Sequence, residues 1–318
     1  MSKNKIKVLF FGTPEYASKV LDKLNNNKYV EIVGVVSQPN KSIGRSKSNI
    51  SDTPTAKYAK DNNLALYQPN KLLEAFKELK ELNPDMCITA AYGKIIPEKM
   101  LDEIAEHKWY NLHASILPKY RGGAPIQYSI MNGDSQTGIS LMKMEKTMDT
   151  GDVLFSSVVD IESNDNLETL TKKLQVSAAN LVSENILRLF NKDFISKPQN
   201  NDLATFAWNI KQKDCEINWN KNSIDIVNLV RAVYPKMSAY TFLDGKKLKI
   251  NSTKLADNSD LPNSKQGEVF FTKKKLFVKT NDNWIEIIKL VPEGKKEMDA
   301  ASFINGYNKI LDNISKLG

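Results

Sequence analysis

Residues 111–126 read NLHASILPKYRGGAPI, and this stretch decides how the first half of the chain is interpreted. It closes an apolar segment and passes into a loop interrupted by proline and glycine, as expected where a strand ends at the edge of a sheet. In extended backbone, residues i and i+2 point to the same side, so Asn111 and His113 can face one pocket together. An amide donor beside a titratable imidazole suits acyl transfer, in which an oxyanion develops while a proton moves.

The stretch belongs to a series of alternating strand-like and helix-like segments. The apolar, β-branched segments predict strands at residues 7–12, 30–37, 85–91, 110–113 and 137–144. Segments with helical spacing lie among them at residues 15–24, 54–62, 72–82 and 124–131. This alternation predicts an α/β fold with a doubly wound, mainly parallel, Rossmann-like sheet. Ligands of such sheets bind beyond the carboxyl ends of the strands, where Asn111 and His113 would lie.

The pattern changes after a predicted long helix at residues 166–190. Residues 191–205 are polar and aperiodic, which indicates a linker. From residue 206 onward, short strand-like pieces alternate with Asp-Gly, proline or lysine-rich turns, which predicts a small β-barrel. We therefore predict a catalytic domain at 1–190, a linker at 191–205 and a β-rich domain at 206–318.

The composition limits the class of protein. A chain of 318 residues suggests about two domains. No apolar run approaches the roughly 20 residues needed to cross a bilayer, so we expect no membrane partner. The two cysteines, Cys87 and Cys215, lie far apart and form neither a metal-binding spacing nor a disulfide framework. We expect no metal and a reducing, cytoplasmic location.

The positive charge is concentrated in the C-terminal part of the chain. The net charge is +8, and residues 206–318 carry 19 Lys and Arg against 13 Asp and Glu. A basic domain can hold a polyanion through its phosphate groups. Here Lys211 and Lys213 lie between aromatic residues, a combination that suits RNA binding. Aromatic side chains packed in a core beside solvated lysines would explain the same letters, and the sequence leaves both interpretations open.

The run at residues 111–126, with the downstream segment Met148-Asp149-Thr150-Gly151-Asp152, closely resembles the folate-dependent formyltransferases. The resemblance extends from Val8 to roughly Leu290 and is densest between Ala90 and Leu154. Within that family the chain is most similar to the members that act on methionyl-tRNA. The resemblance implies that 10-formyltetrahydrofolate donates a formyl group to the methionyl amine of the initiator tRNA. It also implies an oligonucleotide-binding-like barrel for the second domain and no metal, and we expect a monomer.

The resemblance assigns roles to individual residues. The catalytic residues would be Asn111, His113 and Asp149, although the residues alone leave Asp134 and Asp152 open as the carboxylate. The folate would lie against the strand end at Ala91 and Tyr92 and against the following loop, at Ser115, Ile116, Leu117 and Pro118. A basic loop at 38–53 would contact the acceptor end of the tRNA, through Lys41, Arg45 and Lys47.

Three other functions remain open at the level of sequence. A formyltransferase acting on an amino-sugar nucleotide would share the Asn-x-His and Asp chemistry. A formyltetrahydrofolate hydrolase would use water as the acceptor. A basic RNA-binding protein on an inactive scaffold would be expected to have lost the Asn-His-Asp set, which is intact in this chain.

Overall fold

A computed structural model of the chain describes residues 5–43, 49–105, 108–257, 261–311 and 316–318. The chain divides into two compact units. The first contains residues 1–125, 136–160 and 171–207, and the second contains residues 126–135, 161–170 and 208–318. Each unit is therefore built from more than one stretch of chain. The division at residues 190 and 206 stays a prediction.

Strands and helices alternate through the first part of the chain. In order, the elements are β1 (Ile6–Gly12), α1 (Glu15–Asn25), β2 (Val30–Val36), β3 (Lys41–Ile43), β4 (Asn49–Ser51), α2 (Pro54–Asp61), β5 (Leu66–Tyr67), α3 (Phe76–Glu81), β6 (Met86–Ala90), α4 (Glu98–Glu103), β7 (Trp109–His113), α5 (Pro125–Met131), β8 (Gln136–Lys143), β9 (Val153–Asp160) and α6 (Leu167–Asn191). A single 3-10 turn at Leu72–Ala75 precedes α3. A short antiparallel hairpin, β3 with β4, is inserted between β2 and α2.

The first unit is organised around a seven-stranded sheet with the order β5-β2-β1-β6-β7-β8-β9. The first five strands in this order run parallel to one another. The last two, β8 and β9, run antiparallel to their neighbours. The predicted mainly parallel α/β fold is therefore confirmed. Strand β9 was not predicted, although its alternation of serine with apolar residues is typical of an edge strand with one solvated face.

The central strands of this sheet are buried on both faces. Every residue of β6 is buried, and all residues of β1 except Lys7 are buried. Continuous apolar runs of this kind are expected where helices cover both faces of a parallel sheet. On one side, Phe11 packs against Trp109 with ring centroids 4.9 Å apart. The carboxyl ends of β1, β6 and β7 are held in register, so Gly12 pairs with Ala90 and Thr89 pairs with Asn111.

The second unit is organised around an antiparallel sheet. Its elements, in chain order, are α7 (Ser223–Val233), β10 (Ala239–Leu243), β11 (Lys246–Leu255), β12 (Val269–Phe271), β13 (Leu276–Lys279), β14 (Trp284–Pro292), β15 (Met298–Asp299) and α8 (Ala300–Leu311). The strand order is β10-β11-β14-β13-β12, and β15 pairs with β14. The sheet and its helices enclose a core that includes Trp219, Ile250, Ile287 and Phe303. The prediction of a small, β-rich second part is confirmed, and the structure shows that its sheet is antiparallel.

Within the described ranges, none of the helices combines the length and the apolar character required to cross a membrane. The longest helix, α6, has 25 residues, but it carries charged side chains such as Glu168 and Arg188.

Gly138 in β8 lies where a side chain has no room, which gives a test of the packing. A Cβ atom there would lie 2.0 Å from the Ser157 carbonyl oxygen and 2.4 Å from Cδ1 of Ile116. We expect Gly138→Ala to lower the free energy of unfolding by about 1–3 kcal/mol, because overpacking forces neighbouring backbone to move. Urea unfolding measures this change.

Gly306 provides the matched control, because it lies in α8 and a Cβ atom added there would meet no atom within 4 Å. Gly306→Ala should raise the stability of its helix by up to about 1 kcal/mol, since alanine is a better helix former. Equal destabilisation by both substitutions would contradict the packing described for Gly138.

Candidate active site

Asn111 is oriented by a neighbouring strand. It lies on β7 beside Thr89 of β6, and the Thr89 hydroxyl donates a hydrogen bond of 2.7 Å to Oδ1 of Asn111. Because the amide oxygen accepts this bond, the two amide hydrogens on Nδ2 point away from Thr89. The residue is half-buried. The structure therefore presents Asn111 as a fixed hydrogen-bond donor at the carboxyl end of the sheet.

His113 has a defined hydrogen position. Its side chain is 6% exposed, and its Nε2 atom lies 2.8 Å from the carbonyl oxygen of Tyr120. A carbonyl oxygen can only accept, so Nε2 carries a hydrogen. The other ring nitrogen, Nδ1, lies 3.7 Å from Oδ2 of Asp149. In the neutral imidazole, the nitrogen that faces Asp149 is consequently the one with the free lone pair.

Asp149 occupies the turn between β8 and β9 in the left-handed region, with φ of 54°. Its Oδ2 atom accepts a hydrogen bond of 2.8 Å from the backbone N–H of Gly122. Tyr120 and Ala91 also have positive φ angles, of 60° and 47°. Such conformations are uncommon for residues other than glycine and concentrate at functional sites. Three of them in the candidate site support a functional role for this edge of the sheet.

The predicted folate residues in the 115–118 loop are held from beneath by Ser140 of β8. The Ser140 hydroxyl donates to the Ser115 carbonyl at 2.8 Å and accepts from the Leu117 backbone N–H at 3.0 Å. The Ser115 hydroxyl donates to the Lys119 carbonyl, so this buried side chain is used inside the loop. Ile116 and Pro118 are half-buried, and Leu117 is 8% exposed. The loop can therefore present backbone and apolar groups to a ligand.

The other two predicted folate residues behave differently from each other. Ala91 is exposed at the end of β6, whereas the Tyr92 ring is 4% exposed and packs edge-on against Phe11. Burial raises the pKa of Tyr92 to about 12. Its carbonyl oxygen accepts hydrogen bonds from the side chains of Thr13 and Gln38. The Tyr92 ring thus belongs to the core, and the backbone around it forms the surface.

A cavity of about 400 Å³ lies beside the loop that follows Tyr92. Its lining is mainly apolar and includes two lysines and one glutamate: the residues are Asn70, Lys71, Leu72, Leu73, Glu74, Lys94, Ile95 and Pro97. Ile95 is 90% exposed, which is unusual for a large apolar side chain. The Lys94 ammonium donates to the carbonyl oxygens of Pro69 and Asn70, which hold it at the cavity wall.

The predicted tRNA-binding residues lie in two separate parts of the chain, and the structure describes only some of them. Arg45 and Lys47 lie outside the described residues, and Lys41 begins the hairpin strand β3. Lys211 and Lys213 are exposed in the second unit, at a 3-10 turn formed by Gln212–Cys215. Their roles stay predictions.

The aromatic residues near Lys211 and Lys213 divide between the core and the surface. Trp219 is 5% exposed and donates from its indole to the Thr241 hydroxyl, so it belongs to the core of the second unit. Trp208 is 59% exposed on the same unit, and Phe206 is 48% exposed on the first unit. The core interpretation therefore holds for Trp219, and RNA binding at the exposed part of this stretch stays a prediction.

Several residues that organise the site were absent from the sequence predictions. Thr89 and Tyr120 orient Asn111 and His113, and Gln199 contacts the turn that carries Asp149. Gln199 lies in the segment interpreted as a linker, which instead packs on the first unit. Its polar, aperiodic sequence contains no signal for this role, because the contact joins residues 50 positions apart.

No group of three or more His, Cys, Asp or Glu side chains among the described residues is arranged to hold a metal ion. Both cysteines are buried with free thiols, and burial raises the pKa of the Cys87 thiol well above its usual range.

Comparison with known proteins agrees with the geometry of this site. Residues 4–186 match the formyl transferase family, and residues 209–308 match the C-terminal domain of formyl transferases. The methionyl-tRNA formyltransferase of Mycoplasma mycoides subsp. mycoides SC is 41% identical over 311 residues, which cover 97% of each chain. That of Mesoplasma florum is 38% identical over 300 residues, or 94% of this chain and 95% of the relative.

A similar solved structure is that of WlaRD, a sugar 3N-formyl transferase in the presence of dTDP and 5-N-formyl-THF. It matches with a TM-score of 0.69 and 20% identity, over 92% of this chain and 100% of that one. At this identity the likeness supports the fold alone. The family matches and the two relatives, which align over nearly their whole length, confirm the resemblance. The chain belongs to the formyl transferase family of enzymes and groups within it with the methionyl-tRNA formyltransferases.

Proposed function

We propose that this chain transfers the formyl group of 10-formyltetrahydrofolate to the α-amino group of methionyl initiator tRNA. The product is N-formylmethionyl-tRNA for translation initiation. The observation that carries the proposal is the convergence of Asn111, His113 and Asp149 at the carboxyl edge of the sheet, in a chain of this family. The relatives that carry this name align over 94–97% of the chain, including the basic second unit.

Asn111 would stabilise the oxyanion that forms when the amine attacks the formyl carbon. Thr89 holds the amide oxygen, so the amide is oriented before the reaction and its Nδ2 hydrogens would donate to the oxyanion. A donor that needs no reorientation during the reaction contributes most to the rate, because the free energy needed to orient it is already supplied by folding.

His113 and Asp149 would manage the proton of the attacking amine. An α-amine with a pKa near 8 is partly neutral at physiological pH, so it needs orientation more than strong activation. The Nε2 hydrogen of His113 is engaged by Tyr120, which leaves Nδ1 as the ring nitrogen for substrate. Nδ1 of His113 lies 3.7 Å from Oδ2 of Asp149, which is too far for a hydrogen bond between them. The two atoms are close enough for both to accept hydrogen bonds from the same amine.

Proton transfer then follows from this arrangement. As the amine nitrogen bonds to the formyl carbon it becomes acidic, and Nδ1 of His113 would take its proton. The resulting imidazolium would lie beside the Asp149 carboxylate, which stabilises the charge. His113 would return a proton to the departing folate nitrogen, so the enzyme ends the cycle unchanged. This sequence involves no covalent bond between the enzyme and the substrate.

The cavity beside Ile95 is suited to the far end of the folate. The aminobenzoyl-glutamate part of folate combines an aromatic ring with carboxylates, and the cavity combines apolar walls with Lys71 and Lys94, which outnumber its one acidic residue, Glu74. Asn111, His113 and Asp149 do not line it. We therefore assign it to the tail of the donor and assign the reacting group to the strand ends.

The three proposed catalytic residues come from one chain, and we propose that the monomer is the active form. We also propose a cytoplasmic location, because the proposed acceptor is a tRNA used in translation.

The direct test is transfer of labelled formyl from 10-formyltetrahydrofolate to methionyl initiator tRNA. Methionyl elongator tRNA, an amino-sugar nucleotide and a reaction without acceptor are run in parallel. We expect labelling of the initiator tRNA alone. Labelling of the sugar nucleotide alone would overturn the acceptor and retain the chemistry, and donor consumption without an acceptor would indicate a hydrolase.

The catalytic assignment predicts that Asn111→Ala, His113→Ala and Asp149→Asn each lower kcat by about 100- to 1,000-fold, as expected for loss of one preorganised group. Single-turnover formylation measures the chemical step. Asp152→Asn is the matched control, because Asp152 is paired with Lys143 and Ser196 and the substitution should leave kcat within about threefold. A larger loss for Asp152→Asn than for Asp149→Asn would reverse the assignment.

The folate assignment predicts that Ile95→Asp raises the KM for the donor by about tenfold or more, because covering the exposed isoleucine side chain with the bound donor would contribute about 1.5–3 kcal/mol. The KM for tRNA should not change. Val158→Asp is the control, since Val158 is also exposed but lies on the edge strand β9, outside the cavity. Equal donor KM values for wild type and Ile95→Asp would remove the cavity from the folate site.

The RNA assignment predicts that the double variant Lys211→Glu and Lys213→Glu raises the KM for tRNA and leaves the KM for folate unchanged. The dependence of tRNA binding on salt should become shallower by about one unit per lost phosphate contact. The double variant Lys273→Glu and Lys274→Glu, at the exposed turn between β12 and β13, controls for the same change in net charge. If both double variants weaken tRNA binding equally, the effect is one of overall charge and the local assignment is wrong.

A further inference from the structure

Gln199 makes four hydrogen bonds that link the two loops of the active site. Its Nε2 atom donates to the carbonyl oxygens of Asp149 at 2.8 Å and Gly151 at 2.7 Å. Its Oε1 atom accepts from Nε and Nη2 of Arg121, at 3.0 and 2.8 Å. Every hydrogen-bonding position that the amide can offer in this plane is therefore used.

The orientation of this amide is determined by its partners. A guanidinium can only donate, so it selects the oxygen of Gln199, and the two carbonyl groups select the nitrogen. Arg121 is 4% exposed, and its Nη2 atom also donates to Oδ1 of Asn201. Its charge thus acts on neutral amide oxygens. By drawing electron density from Oε1, the guanidinium strengthens the N–H donors that hold the Asp149 turn.

The same loop contacts both members of the His113–Asp149 pair. Tyr120 accepts from His113, and the next residue but one, Gly122, donates to the Asp149 carboxylate. Arg121 lies between them and reaches the main chain of Asp149 through Gln199. Asp149 is consequently held at its side chain by Gly122 and at its main chain by Gln199.

The segment from Gln199 to Ala207 also holds the 120–122 loop. Thr205 accepts from the backbone N–H groups of Tyr120 and Arg121, at 2.9 and 2.8 Å. The Arg121 carbonyl oxygen in turn accepts from Ala207 at 2.8 Å. The loop at 120–122 is thereby fixed to the same stretch of chain that supplies Gln199.

We propose that Arg121 and Gln199 are a positioning pair that holds the Asp149 turn at the correct distance from His113. The inference rests on the proposed function and adds to it a pair of residues that never touches the substrate. A turn with φ of 54° at Asp149 is costly for a residue other than glycine. Relaxation of this turn would move the carbonyl groups of Asp149 and Gly151. Both accept hydrogen bonds from Gln199, which therefore opposes the movement.

The decisive variant is Gln199→Glu. A glutamate keeps the acceptor for Arg121 but has no N–H for the Asp149 and Gly151 carbonyl groups, and it places negative charge against them. We expect kcat for formyl transfer to fall by about 100-fold, as expected when a catalytic group is displaced by about 1 Å. Both KM values should stay within about twofold, because neither substrate contacts the pair.

Asn200→Ala is the matched control. Asn200 is the exposed neighbour of Gln199, and its side chain accepts from the Asp202 backbone N–H within its own turn. The Asn200→Ala substitution removes an amide from the same segment, but the hydrogen bond of this amide is to Asp202 rather than to Arg121 or Asp149. We therefore expect kcat to remain at the wild-type value. Thermal unfolding of both variants shows whether the fold is retained. If Gln199→Glu does not fold, Gln199→Met provides the same loss of donors at similar length.

A readout independent of turnover is the ¹⁵N spectrum of the imidazole of His113. The chain has only two histidines, so a His107→Gln variant assigns the signals. We expect the His113 signals to move in Gln199→Glu and to stay unchanged in Asn200→Ala, since only the first releases Asp149. Unchanged signals together with wild-type kcat in a folded Gln199 variant would overturn the positioning role. Wild-type enzyme that fails to formylate methionyl-tRNA would reject the proposed function, while the spectra would still test the pair.

Discussion

The site depends on one short loop, Tyr120 to Gly122, whose main-chain atoms hold two side chains at once. The Tyr120 carbonyl oxygen accepts a hydrogen bond from Nε2 of His113, and the Gly122 N–H donates one to the carboxylate of Asp149. Backbone groups are suitable for this purpose because their positions are set by the fold and carry no rotamer entropy. The separation of imidazole and carboxylate is therefore a property of the loop. Anything that moves the loop moves both groups.

The loop in turn depends on close packing that only small residues allow. Gly122 has φ of 117°, and a Cβ atom there would lie 2.7 Å from the Ala207 carbonyl oxygen. Gly138 has the same role beneath the 115–118 loop, where β8 passes close to β9 and to Ile116. The same close contacts that stabilise the fold therefore also determine the positions of the loops beside the proposed catalytic residues. The Arg121–Gln199 pair then links this loop to the turn that carries Asp149.

Several features of the site were predictable because they are local. Asn111 and His113 share a face since they are two residues apart on a strand, and they lie at a carboxyl edge since strands and helices alternate around them. The selection of Asp149 over Asp134 and Asp152 came from the family resemblance. In the structure Asp149 faces His113, whereas Asp152 is paired with Lys143. The edge strand β9 was missed because its serine-rich alternation resembles a loop as much as a strand.

By itself, the sequence determined the alternation of strands and helices, the mainly parallel sheet and an amide beside an imidazole suited to acyl transfer, because these follow from periodicity and from neighbours in the chain. Formyl transfer and the choice of Asp149 came from the family resemblance. The tertiary structure decided which nitrogen of His113 is free, that the Tyr92 ring belongs to the core, and that the apparent linker supplies Gln199. For His113 the reason is the conformation of the loop that brings Tyr120, only seven residues away, onto Nε2. For the Tyr92 ring and Gln199 the reason is distance along the chain. Hydrogen bonds between residues 50 or more positions apart leave no periodic trace in the sequence, and they exist only once the fold has brought the loops together.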